Sequence, residues 1–121
     1  MKSLSLLLPL LLAHAEAPQS QITCTAIYRT LDDKNNTVER KADVPVTKIV
    51  GDTLLHEAEL EGKSFTLNEE KNGDLFAQIT TGPDYTSGTV VRGVADSLGR
   101  FTATEVNGYT IYRLECARVR N

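Results

Sequence analysis

The sequence predicts an all-β domain: a small antiparallel meander of about eight strands closing into a β-barrel, with a two-sheet β-sandwich as the alternative. Three features predict it. Turn-forming residues recur at short intervals, apolar and polar residues alternate between them at a period of two, and one cysteine lies near each end of the chain. Intervals that short leave no room for the dozen or so residues that a parallel crossover needs.

The N-terminus is expected to be a leader rather than part of the fold. Lys2 supplies a positive start, an apolar run extends from Leu4 to Leu12, and Ala13-His14-Ala15 offers small residues where a signal peptidase cuts. Residues 1–15 are therefore read as a signal peptide cleaved after Ala15, and residues 16–121 as a single β domain. The run is too short to span a bilayer, which takes about 20 apolar residues in a helix. The expected product is periplasmic or secreted, with no stable membrane insertion, and a monomer.

In the first segment Ile22, Cys24, Ala26 and Tyr28 share a face, opposite Thr23, Thr25 and Arg29, and the turn Asp32-Asp33-Lys34-Asn35-Asn36 follows. In the second, Pro45 between Val44 and Val46 cannot donate a ladder hydrogen bond and marks an edge or a bulge. After Gly51-Asp52, Leu54, His56, Ala58 and Leu60 alternate with Leu55, Glu57, Glu59 and Glu61. Glu61-Gly62-Lys63 leads to a segment with Phe65 and Leu67 inward, and Asn72-Gly73 to one with Leu75, Ala77 and Ile79 inward. Beyond Gly82-Pro83-Asp84, Val90 and Val91 between Gly88 and Gly93 suggest a bent strand. Leu98-Gly99 then precedes Phe101 and Ala103, and Asn107-Gly108 precedes the last strand, with Tyr112, Leu114 and Cys116 on one face. Both Asn-Gly pairs suit type I′ turns, which need positive φ at both central residues.

Cys24 and Cys116 each sit on the apolar face of their strand, and an even pair in an exported chain reads as a disulfide. Such a bridge would close nearly the whole domain into a ring, stabilising it by at most ~4–5 kcal/mol. It would also set strand one beside the last strand and so close the barrel, whose interior we expect to be filled by side chains. The chain has no Trp for an immunoglobulin-type core.

Chemistry is sparse. After removal of the leader His56 is the only histidine, and its alternation points it inward, as a hydrogen-bonded core residue. No nucleophile elbow, zinc-binding helix motif, phosphate loop or dinucleotide fingerprint occurs, so no catalytic residue, metal or cofactor is assigned. Glu57, Glu59 and Glu61 repeat at about 6.6–7 Å along a strand, near the separation of some glycosidase carboxylates, but a solvated face explains them as well. The Asp32–Asn36 run lacks the spacing of a calcium loop. Asn35-Asn36-Thr37 matches a glycosylation sequon that matters only for export through an endoplasmic reticulum.

Charge is the most informative functional feature. Residues 16–50 carry five acids and five bases, residues 51–84 eight acids and two bases, and residues 85–121 three acids and five bases. If the middle strands are neighbours, they form an acidic flank able to steer a basic secreted protein. Glu57, Glu59, Glu61, Glu69, Glu70, Asp74, Asp84 and Tyr85 are its candidate contact residues. Nucleic acid is disfavoured, because no basic stripe is present.

A leader, about 100 residues of short strands and one cysteine near each end resemble the layout of the bacterial periplasmic inhibitors of c-type lysozyme, small β-barrels that act on a very basic enzyme. The resemblance is one of layout. Ser87-Gly88-Thr89-Val90-Val91-Arg92-Gly93 lacks the family's Tyr, and the Trp of its second motif has no counterpart, so no site residue is carried over. The expected function is a non-catalytic, inhibitor-like binding domain. The alternatives are a small hydrolase using His56 or the Glu57/Glu59/Glu61 row, and an envelope component assembling through a sheet edge.

Overall fold

The computed structural model describes residues 19–119, so the expected leader and its expected cleavage point lie outside the described residues. It has nine strands and no helix among those residues: β1 (Ile22–Leu31), β2 (Thr37–Asp43), β3 (Val46–Val50), β4 (Thr53–Leu60), β5 (Lys63–Glu69), β6 (Leu75–Thr81), β7 (Gly88–Gly93), β8 (Arg100–Asn107) and β9 (Thr110–Arg118). They form two antiparallel sheets, a four-stranded one ordered β2-β1-β9-β8 and a five-stranded one ordered β3-β4-β5-β6-β7.

The barrel expectation is therefore corrected to a sandwich-like pair of sheets, and the strand count rises from eight to nine. The extra strand comes from Pro45. The Val44 N–H still donates to the Cys24 carbonyl in the first sheet, whereas the Pro45 carbonyl already accepts from the Glu57 N–H in the second. With no N–H of its own, Pro45 cannot continue the ladder on β1, and the chain changes sheet within two residues. A second seam separates β7 from β8, which share no backbone ladder.

The expected disulfide is present. Cys24 and Cys116 are directly opposed in the β1–β9 register, with Cα atoms 4.1 Å apart, and both are buried. A structural disulfide accords with an oxidising compartment. Around it the core gathers the inward residues of both sheets, with Ala26, Phe65, Leu67, Ala77, Ile79 and Leu114 all but inaccessible. Tyr28 and Tyr112, also opposed in β1 and β9, stack with ring centroids 5.5 Å apart.

The turns stand where the sequence places them, but their chemistry differs. Glu61-Gly62, with φ of 50° and 78°, has the two positive values of a type I′ turn. Gly108-Tyr109 forms the β8–β9 loop and has a positive φ only at the glycine, as in type II′. Asn72-Gly73 lies in a three-residue loop, closed by Gly73 N–H to the Glu70 carbonyl, with Gly73 in the left-handed position. The loops Asp32–Asn36 and Asp96–Arg100 repeat that scheme with Asn35 and Gly99 left-handed.

In two of these loops a carboxylate completes the turn. Asp32 Oδ1 accepts the N–H groups of Lys34 and Asn36, and Asp96 Oδ1 those of Leu98 and Arg100. These backbone hydrogen bonds, led by Asn36 for Asp32 and by Arg100 for Asp96, hold both carboxyls below their ordinary value of 3.8. A group whose folded value is depressed contributes stability above its unfolded value and loses it as the pH falls through the folded one. Thermal melts from neutral pH down to about pH 2 should therefore show the Asp32→Asn/Asp96→Asn variant losing less stability on acidification than the parent. A parallel decline in both proteins would count against the two turns as acid-sensitive points.

Candidate protein-contact surface

The eight-acid segment occupies β4, β5 and β6, three consecutive strands of the five-stranded sheet. Its charges do not form one field. One end of the molecule carries the first and last described residues, where the Val119 N–H donates to the Gln21 carbonyl, with the β3–β4 and β5–β6 turns, and there Asp52, Glu70, Asp74 and Lys71 border a depression with Phe76 and Arg92. Arg92 lies 5.5 Å from the centre of the Phe76 ring, across the sheet's outer face. Glu57, Glu59, Glu61 and Asp84 lie away from this group, along β4 and at the other end.

Tyr85 draws that second group together. It follows β6 in the loop to β7, in a left-handed conformation with φ 56°, and its ring covers Gly82. Its hydroxyl donates to Glu59 Oε2 at 3.3 Å, bringing the Asp84-bearing loop to the acidic row of β4. The Glu59 charge, through its field and this hydrogen bond, pushes the phenol above its ordinary value of 10.0, so Tyr85 stays a donor. Glu57 is held by the Thr47 hydroxyl, and Glu61, in the β4–β5 turn, pairs with Arg40 at 3.4 Å. Tyr85 is 46% exposed, and Glu59, Glu61 and Asp84 are exposed too.

Of the eight candidate contact residues, then, Tyr85 and Glu59 meet, Glu57 shares the outward parity of Glu59 on β4, Glu61 lies in the turn after β4 and Asp84 precedes Tyr85, while Glu70 and Asp74 lie apart. Glu69 is withdrawn from the surface altogether, at 6% exposed. It is the third inward residue of β5 after Phe65 and Leu67, so its parity in the sequence already carried that signal.

Glu69 belongs to a buried network with His56. His56 Nε2 lies 2.8 Å from Glu69 Oε1, and its Nδ1 lies 3.3 Å from the Val44 carbonyl oxygen, which can only accept. Glu69 Oε2 receives the Gln21 N–H at 2.7 Å. The Ser20 hydroxyl lies within 2.8 Å of Glu69 Oε1 and accepts the Ile22 N–H on the β1 edge that β2 has left. The carboxylate stands between serine and histidine, an order unlike that of a nucleophile activated by its base. Both ring nitrogens are occupied and His56 is 2% exposed, which agrees with the core histidine expected from its alternation.

A second network, missed in the sequence, crosses the other seam. Lys63 Nζ lies 2.6 Å from Glu105 Oε2 and donates to the Thr81 hydroxyl, while Thr89 on β7 donates to Glu105 Oε1 at 3.0 Å. Lys63 also sits 4.9 Å from the centre of the Tyr112 ring, and burial raises the Tyr112 phenol above its ordinary value against the opposing, lowering field of Lys63. Each seam without a backbone ladder is thus crossed by side-chain hydrogen bonds. Every buried side-chain polar atom among the described residues has a partner.

Among the described residues no group of three or more His, Cys, Asp or Glu side chains is placed to hold a metal ion. No family model, curated protein or solved structure matches the chain.

Proposed function

We propose that the protein is an exported, non-catalytic binding module that contacts a basic protein through Glu57, Glu59, Glu61, Asp84 and Tyr85. The observation that carries this reading is the Tyr85–Glu59 hydrogen bond, which joins a half-exposed aromatic ring of the β6–β7 loop to the acidic row of β4. A rigid aromatic flanked by carboxylates suits lysine or arginine side chains, through charge pairing and through cations placed over the ring. The acids set the encounter rate and the ring supplies apolar area, so the two contributions respond to different tests.

Binding of the exported protein to a panel of basic secreted proteins, measured at low ionic strength and at about 1 M salt, where the Debye length is about 3 Å, tests it. A partner is expected whose association slows with salt and with Glu57→Gln/Glu59→Gln/Glu61→Gln, and whose dissociation quickens with Tyr85→Ala. Binding that ignores all four substitutions would overturn the assignment of the surface.

A second reading, assembly through a sheet edge, is favoured by β3. All five of its residues are exposed, with Ile49 at 52% and Val50 at 67%, and among the described residues it pairs only with β4. Unpaired edges of β-branched residues accept further strands. Light scattering at rising concentration should show association if the edge is used, and a constant monomer mass would remove this reading.

A further inference from the structure

We propose that Asn107 is a site of spontaneous covalent modification, in which the backbone nitrogen of Gly108 attacks the Asn107 side-chain carbonyl carbon. The new N–Cγ bond closes a succinimide, the Cγ–Nδ2 bond breaks, and the displaced nitrogen leaves as ammonia with the proton from Gly108. Water then opens the ring at either carbonyl, giving aspartate or isoaspartate with no change in oxidation state.

The chain has two Asn-Gly pairs, and the structure treats them differently. At Asn72-Gly73 the attacking nitrogen is engaged, because the Gly73 N–H donates to the Glu70 carbonyl at 3.0 Å. The Asn72 side chain is also held: its Oδ1 accepts the Asp74 N–H at 3.0 Å, and its Nδ2 donates to Asp74 Oδ2 at 3.2 Å. At Asn107-Gly108 neither restraint exists among the described residues. The Gly108 N–H has no backbone partner there, the Asn107 side chain makes no hydrogen bond, and no atom beyond the chain neighbours lies within 4 Å of where a Gly108 Cβ would stand.

Ring closure requires Asn107 to leave its extended strand conformation, and the hairpin tip allows that. Val106 is 65% and Tyr109 82% exposed, and although the Thr110 hydroxyl is held by that of Thr30 at 2.8 Å, no side-chain hydrogen bond among the described residues holds Asn107 on its side of the last pair. Either product replaces a neutral amide with a carboxylate at the end of the molecule that carries Glu61 and Asp84. Isoaspartate also lengthens the backbone by one atom and breaks the Asn107–Thr110 register.

The folded, disulfide-bonded protein is incubated at mildly alkaline pH in water labelled with heavy oxygen, then digested and read by tandem mass spectrometry. The Asn107 peptide should take up label while the Asn72 peptide stays unchanged, and in urea the two should convert at similar rates. Gly108→Ala should slow conversion several-fold; because φ is +62° there, Asn107→Gln serves as a second variant and should abolish it. An unchanged Asn107, faster conversion of Asn72 in the folded protein, or persistent protection of Asn72 in urea would overturn the proposal.

Discussion

Replacing both cysteines, as Cys24→Ala/Cys116→Ala, should lower the unfolding free energy by up to ~4–5 kcal/mol, a large share of the ~5–15 kcal/mol typical of a domain. The bridge joins positions 92 residues apart, so in the oxidised chain it removes most of the loop freedom of the unfolded state. The folded state loses less. β1 and β9 remain registered over eight residue pairs, from Ile22 with Arg118 to Arg29 with Ile111, and their ladder does not depend on sulfur. The variant should therefore keep the native fold, with a lower urea midpoint and a steeper dependence on urea, because a chain without the crosslink exposes more surface when it unfolds. Urea unfolding of the parent and the variant checks both. Equal midpoints would show that the bridge acts after folding rather than on the unfolded chain.

A crosslink between the terminal strands does not seal the cylinder, and the reason lies in residues whose effect is longer in range than alternation. Period two correctly places Cys24, Ala26, Leu54, His56, Phe65, Leu67, Leu75, Ala77, Ile79, Phe101, Ala103, Leu114 and Cys116 inside, because it follows from the pleat alone. Closure depends instead on whether neighbouring strands stay within hydrogen-bonding reach. Pro45 signalled a local fault; that the fault diverts the chain to another sheet depends on what β4 offers, and β4 is distant in sequence. The turns show the same division. Their positions were legible from Gly and Asn, but whether Asn-Gly or Gly-Tyr occupies a loop is set by strand register, one residue at a time.

Parity also explains the charged residues that a solubility reading leaves outside. Lys63 and Glu69 share β5 with Phe65 and Leu67, and Glu105 shares β8 with Phe101 and Ala103. In each case the apolar alternation, extended by one step, turns the charge inward. What the sequence could not show is the partner, since His56 meets Glu69 across two strands and Lys63 meets Glu105 across two sheets. The contact rim lies at the same limit. Tyr85 and Glu59 are 26 positions apart, and only the course of β5 and β6 between them brings the loop back to β4.

The second large effect is expected at the buried pair of the Pro45 seam. Glu69→Ala removes the partner of His56 Nε2, the acceptor of the Gln21 N–H and a partner of the Ser20 hydroxyl, in a site where His56 is 2% exposed. Leaving one member of a buried polar pair without its partner costs about 3–5 kcal/mol, whereas replacing both with apolar groups of similar size is often nearly neutral. The His56→Leu/Glu69→Leu double variant should accordingly be more stable than the sum of its single variants implies, with a coupling of ~2–3 kcal/mol in a urea double-mutant cycle. The double variant should not recover everything. Glu69 also ties Ser20 and Gln21 to β5 where β1 has lost its neighbour, so hydrogen exchange at Ile22 should quicken even when the global stability is restored. The Lys63–Glu105 pair, at 11% and 17% exposed, retains more contact with solvent and should show a smaller coupling in the same cycle. Additive effects of His56 and Glu69 would mean that the seam is closed by packing alone, and that its polar groups are merely accommodated there.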